Sequence, residues 1–193
     1  MSGAWVQTFT GRRVELLAPD PETIAIEDIS HALARINRFS GATREAYSVA
    51  QHSLHVAELV ARETDDPRVI LAALLHDAHE AYLGDITSPV KRVIEEVAVM
   101  ESLIAMTEGA LLAQIRIRFG LPISDLNRRE LIRRADLVAL ATEKRDLFAV
   151  QRDDWGPLPE PDEKRISAIP SHETENRFIS VFRILEAKIG CAR

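Results

Sequence analysis

Pro67–Glu80 reads PRVILAALLHDAHE, and this stretch decides the fold. Asp66 is a good N-cap and Pro67 suits the first helical position, so a helix starts here. Val69, Leu71, Ala72, Leu74 and Leu75 then cover nearly every side of it. A helix apolar around most of its circumference belongs in the middle of a fold. The anomaly comes at its end, where His76 and Asp77 directly follow Leu75 and Glu80 comes one turn later. An ionised carboxylate taken out of water is costly unless it is paired or bound to a metal. At helical spacing Glu80 follows Asp77 by three and His76 by four, so the expectation is that all three share one helix face.

Outward from this stretch, most of the chain keeps the helical period. Val49–Ala61 carries Val49, Leu54, Val56, Ala57, Leu59 and Val60 on a broad apolar stripe. Glu95–Phe119 reads as one long helix closed by Gly120 and Pro122. Further helices are expected over Ile29–Ile36, from about Asn127 to Phe148 and from about Glu173 to Ile189. Gln7–Leu17, with Thr10–Gly11, gives a weak signal for a short hairpin. Asp154–Pro170 holds four prolines, Trp155 and Gly156, and reads as an extended surface segment rather than a domain linker. The expectation is an all-α helical bundle with a short N-terminal hairpin. It is a single domain over residues 1–193, with the chemistry in a core of about 29–148.

Composition narrows the functional classes. A chain of 193 residues suits one domain, which at this size buries roughly 70% of its unfolded surface. With 46% hydrophobic and 28% charged residues it is not a disordered chain. Twenty-four Lys+Arg against 30 Asp+Glu leave a net charge of −6, which argues against non-specific nucleic-acid binding. The longest apolar run, Val69–Leu75, is far short of the ~20 residues a bilayer requires. The start of the chain lacks the basic-then-apolar pattern of a secretory signal, and a lone Cys191 suits a reducing cytoplasm. The expected setting is cytoplasmic, with neither nucleic acid nor membrane as partner.

Two other helices offer groups to match His76–Asp77. His52 sits near the start of Val49–Ala61, and Asp136 interrupts the apolar stretch Leu131–Ala141. Together these residues supply two imidazole nitrogens and two carboxylates, a mixed set that suits a divalent transition ion such as Mn, Co, Fe, Ni or Zn. With four protein ligands a six-coordinate ion keeps about two positions for water and substrate, whereas a tetrahedral zinc would be closed and structural. From the residues alone, Asp136 has a second reading as a surface partner of Arg133 or Arg134. Arg38 can be a helix-end charge, Asp85 a turn residue, and His55 and His79 either rim residues or contacts to a second ion or a phosphate.

The order His52, His76–Asp77, Asp136 resembles the HD-domain metal-dependent phosphohydrolases, and more closely their 5′-deoxynucleotidase (YfbR-like) branch. The segments that carry the resemblance are Ile36–Asn37–Arg38–Phe39, Gln51–His52–Ser53–Leu54, Leu75–His76–Asp77–Ala78–His79–Glu80, Gly84–Asp85–Ile86–Thr87–Ser88–Pro89–Val90–Lys91 and Arg134–Ala135–Asp136. The resemblance implies that His52, His76, Asp77 and Asp136 bind one divalent metal ion (Co, Mn, Fe, Ni, Zn or Mg). It implies that Glu80 positions or deprotonates the attacking water, that Arg38 holds the phosphate and that Asp85 sits at the sugar. It also implies an all-α bundle, a homodimer and a nucleotide substrate, a nucleoside 5′-monophosphate of the 2′-deoxy series. Phe39 departs from the branch, which often has tryptophan there. Two other functions compete: a deoxynucleoside triphosphate triphosphohydrolase and a non-catalytic, metal-dependent nucleotide sensor.

Overall fold

The computed structural model describes residues 3–98, 103–122, 126–150 and 155–191. Among them are eight α-helices and one hairpin, so the chain folds as an all-α bundle. The helices are α1 (Ile26–Leu33), α2 (Val49–Ala61), α3 (Pro67–Leu74), α4 (Glu80–Leu83), α5 (Ser88–Ala98), α6 (Leu103–Arg118), α7 (Leu126–Leu147) and α8 (Ser171–Cys191). The hairpin pairs β1 (Trp5–Gln7) antiparallel with β2 (Arg13–Glu15), Val6 facing Val14.

Helix α2 organises the bundle by packing against α3, α7 and α8, while α1 packs on α4 and α8. Its start is fixed by Ser48, whose hydroxyl accepts from the Gln51 amide, and its Val49, Val56 and Val60 are fully buried. Asp66 caps α3 by accepting from the Arg68 amide, with Pro67 at the first position as the sequence indicates. Val14 anchors the hairpin in the core, and the buried Asp28 of α1 accepts from the Thr10 amide (2.7 Å) and hydroxyl (2.9 Å) at the hairpin turn. No helix among the described residues is long and apolar enough to cross a membrane.

Three expected elements differ. The apolar central helix does not run on to Glu80: it stops at Leu74, and residues 75–79 form turns. The cause is local. The Ala73 carbonyl accepts from both the backbone amide (3.4 Å) and Nδ1 (2.8 Å) of His76. From there the Ala78, Glu80 and Ala81 amides each bond three residues back, tightening the chain away from α-helical geometry. His76 and Asp77 therefore share no helix face with Glu80, and the face expected for them is an expectation the structure corrects. Helix α1 begins three residues earlier than expected, with the acidic Glu27 and Asp28 in its first turn. The one long helix expected over Glu95–Phe119 corresponds to the end of α5, which already begins at Ser88, and to α6, with residues 99–102 of it outside the described residues.

Candidate metal centre

Three elements bring nitrogen and oxygen donors to one point. His52, on the first turn of α2, is fully buried. Its Nε2 lies 3.3 Å from His76 Nε2, 3.1 Å from Asp136 Oδ1 and 3.6 Å from Asp77 Oδ2. Asp77 Oδ2 is also 3.1 Å from His76 Nε2. One ligand atom each from His52, His76 and Asp136 falls within 4.8 Å of the others. All four residues picked from the sequence thus meet, Asp77 through the two imidazoles rather than inside that tightest group. The turn at 75–79 makes this meeting possible, because it swings His76 and Asp77 off the end of α3.

The protonation pattern fits a cation. The Ala73 carbonyl can only accept, so His76 donates from Nδ1 and leaves a lone pair on Nε2. His52 Nδ1 likewise donates to Glu143 Oε1 at 2.7 Å. Two Nε2 lone pairs 3.3 Å apart repel unless positive charge lies between them. His52 shows the same pull: burial and the Arg38 cation lower the pKa of its imidazolium, but the Glu143 and Asp136 carboxylates outweigh them and raise it to about 9. Burial opposes the charge on Asp77, yet His76, His52 and Arg38 hold its carboxyl far below the ordinary carboxylate range. A proton on His52, kept there by the raised pKa, supplies that positive charge in the metal-free protein; a divalent transition ion would replace it, taking neutral imidazoles and ionised carboxylates as donors.

Sequence reading missed Glu143. It is fully buried on α7, seven residues and two turns after Asp136, on the same helix stripe. One oxygen accepts from His52 Nδ1 and the other from Arg38 Nε at 3.1 Å, so a single carboxylate orients both. A charged residue at that spacing after Asp136 was the signal available in the sequence.

The carboxylate donors Asp77 and Asp136 open onto a cavity of about 920 Å³ that Arg38, Glu80, Asp85 and Lys91 also line. Arg38 is mostly buried, and its Nη1 lies 3.7 Å from Asp77 Oδ2. Glu80 is buried and its Oε2 finds no hydrogen-bond partner among the described residues. Burial first, then the Asp77 and Asp85 charges, push the Glu80 carboxyl up to about 9. Burial also raises Asp85, against Arg38 and a hydrogen bond from the Phe39 backbone. Gly84, with φ 80°, caps α4 and turns the chain so that Asp85 reaches the cavity.

The remaining candidates lie elsewhere. His55 Nε2 meets Asp162 Oδ2 at 3.1 Å rather than joining the donors. His79 Nε2 stands 3.9 Å from Glu108, which Lys91 holds at 2.7 Å. Asp136 does not pair with its neighbours, since Arg133 bonds Glu130 and Arg134 bonds Glu63. His31 stacks on Phe9 and meets Glu175 at 3.3 Å.

The sequence profile of the HD domain matches residues 33–116, a span that holds His52, His76 and Asp77 and ends before Asp136. An uncharacterized protein of Rhodobacter capsulatus is 43% identical over 148 residues, covering 74% of this chain and 72% of that one. The uncharacterized protein YfdR of Escherichia coli K12 is 37% identical over 144 residues, covering 75% and 72%. The chain belongs to the HD-domain family, a family of metal-dependent phosphohydrolases.

Proposed function

We propose that the protein hydrolyses the phosphomonoester of nucleoside 5′-monophosphates, with 2′-deoxy sugars preferred. One observation carries the reading. The imidazole and carboxylate donors converge at the edge of a cavity whose polar lining includes Arg38, the buried Glu80 with its unpartnered Oε2, and Asp85.

His52, His76, Asp77 and Asp136 would hold one divalent ion there. When bound, such an ion polarises a phosphoryl oxygen and lowers the pKa of water. The chain's own groups do the rest. Arg38 offers a planar fork to a phosphate, and Glu143 keeps that fork from collapsing onto Asp77. Glu80 keeps a proton at neutral pH while the donor cluster is anionic; positive charge at the cluster offsets Asp77 and frees Oε2 to take a proton. Asp85 faces the cavity beyond α4, where it can accept a hydrogen bond from a sugar hydroxyl.

Arg38, Lys91 and Arg92 are the described cations lining the cavity; Arg38 is engaged by Glu143 and Lys91 by Glu108, and the length of the phosphate tail is read from the products. The test is phosphate, pyrophosphate and triphosphate release from ribo- and deoxynucleoside mono- and triphosphates. Metal-stripped protein would be re-supplied separately with Co, Mn, Mg, Ni and Zn. Orthophosphate from deoxymonophosphates is expected; triphosphate from deoxynucleoside triphosphates would replace this reading with the triphosphohydrolase. Asp85→Ala should narrow the ratio of deoxy to ribo turnover, and an unchanged ratio removes Asp85 from the sugar.

A further inference from the structure

The charged cavity has a second, aromatic end. Phe39, Phe148 and Trp155 all line it, together with Gly156. Phe148 meets Trp155 edge-on, with centroids 5.0 Å apart and planes at 85°, and Phe39 lies tilted to Trp155 at 5.8 Å and 48°. Neither ring stacks parallel on the indole, and Trp155 remains 41% exposed, a large apolar side chain at a cavity mouth. Phe39 and Ser40 both take positive φ, 55° and 51°, which is unusual for non-glycine residues and is tolerated where function fixes the backbone. That kink sets the Phe39 ring beside the Arg38 guanidinium, 5.2 Å from carbon to centroid. The rings and the phosphate-binding fork are therefore adjacent.

Trp155 is also held in place. Gly156, with φ 84°, turns the chain immediately after it. The segment that follows is fastened to α2 and α7. Asp162 receives hydrogen bonds from Arg62, the Ile166 amide bonds Asp146 at 2.9 Å, and Gln51 bonds Ser167 and Ile169. Lys144 lies over the indole at 5.4 Å. A fixed, exposed aromatic face next to an anion site is the recognition chemistry of a planar heterocycle attached to a phosphate.

We infer that Trp155, backed by Phe148 and Phe39, is the surface on which the nucleobase of the substrate stacks. This rests on the phosphohydrolase reading for the charged end of the ligand and adds the group that selects a nucleotide over a bare sugar phosphate.

The chain has two tryptophans, so a Trp5→Phe background isolates Trp155 fluorescence. In metal-loaded protein, 2′-deoxyadenosine 5′-monophosphate should quench that fluorescence and 2-deoxyribose 5-phosphate should not. Trp155→Ala should raise KM for the nucleotide on the order of 10-fold with kcat little changed. It should leave the sugar phosphate unaffected, and Trp155→Phe should restore most of the loss. Hydrolysis of the nucleotide with KM unmoved in Trp155→Ala and silent fluorescence overturns the inference and spares the proposed function. Quenching by the nucleotide without hydrolysis of either compound supports the stacking surface and overturns the proposed function. Neither quenching nor hydrolysis overturns both.

Discussion

Three residues apart on α2, His52 and His55 enter the same kind of arrangement and come out with different uses. Glu143 joins His52 (2.7 Å) to Arg38 (3.1 Å), and Asp162 joins His55 (3.1 Å) to Arg62 (2.8 Å). Each is a buried carboxylate that bridges an imidazole and a guanidinium. What differs is the far side of each group. His52 presents Nε2 to His76, Asp77 and Asp136, and Arg38 lines the cavity. His55 presents Nδ1 to no hydrogen-bond partner among the described residues, and Arg62 turns to Glu58 on the surface. One bridge preorganises a site; the other fastens residues 155–170 to the bundle. A buried His–carboxylate pair is thus no sign of function until the second ring nitrogen is followed.

The largest effect should come at the donor cluster that the Glu143 bridge supports. Asp77→Ala is expected to abolish metal retention and turnover while the melting temperature of the metal-free protein holds; metal analysis and phosphate release check it. Next, Glu80→Gln should keep the metal and lose turnover by on the order of 10²-fold or more, the usual scale for a positioned acid–base group. A variant that loses metal as well would make Glu80 a ligand. Glu143→Gln weakens the support of His52 and Arg38 together, so calorimetry should find metal affinity down roughly 10- to 100-fold. The same result from Asp162→Asn would erase the contrast.

Asp162→Asn should instead leave metal affinity intact and reduce stability by about 1–3 kcal/mol in urea denaturation, the cost of weakening hydrogen bonds at a buried acceptor. Its pH dependence has a definite sign. Hydrogen bonds from Arg62, against the opposing effect of burial and with help from His55, hold the Asp162 carboxyl far below its usual range. The folded pKa lies below the unfolded value of about 3.9, so the contribution is full above that pH and fades as pH falls through the folded pKa. Wild-type stability should drop on acidification below about pH 4 more steeply than that of Asp162→Asn.

The two bridges were unequally legible in the sequence. Helix α2 could be read with its observed limits from its apolar stripe, and the structure adds the Ser48 cap that fixes its start. His52, His76, Asp77 and Asp136 stood out as polar residues interrupting apolar helical patterns. The end of α3 did not stand out, because nothing in His76–Glu80 breaks a helix by propensity; the break comes from an imidazole bonding its own Ala73 carbonyl. Glu143 passed unnoticed among the polar residues of α7, since burial of that stripe depends on α2 packing over it. The Asp162 bridge spans 107 residues to His55, and no local pattern announces so distant a partner.

Two imidazoles and two carboxylates are proposed to hold one divalent ion at the cavity edge. The direct measurement is a titration of metal-stripped protein with Co(II), followed by visible absorption and calorimetry, alongside Asp77→Ala. One equivalent bound per chain, with a nitrogen- and oxygen-ligand spectrum that is lost in the variant, is the predicted result. Absence of stoichiometric binding, or the same spectrum in Asp77→Ala, would contradict the account.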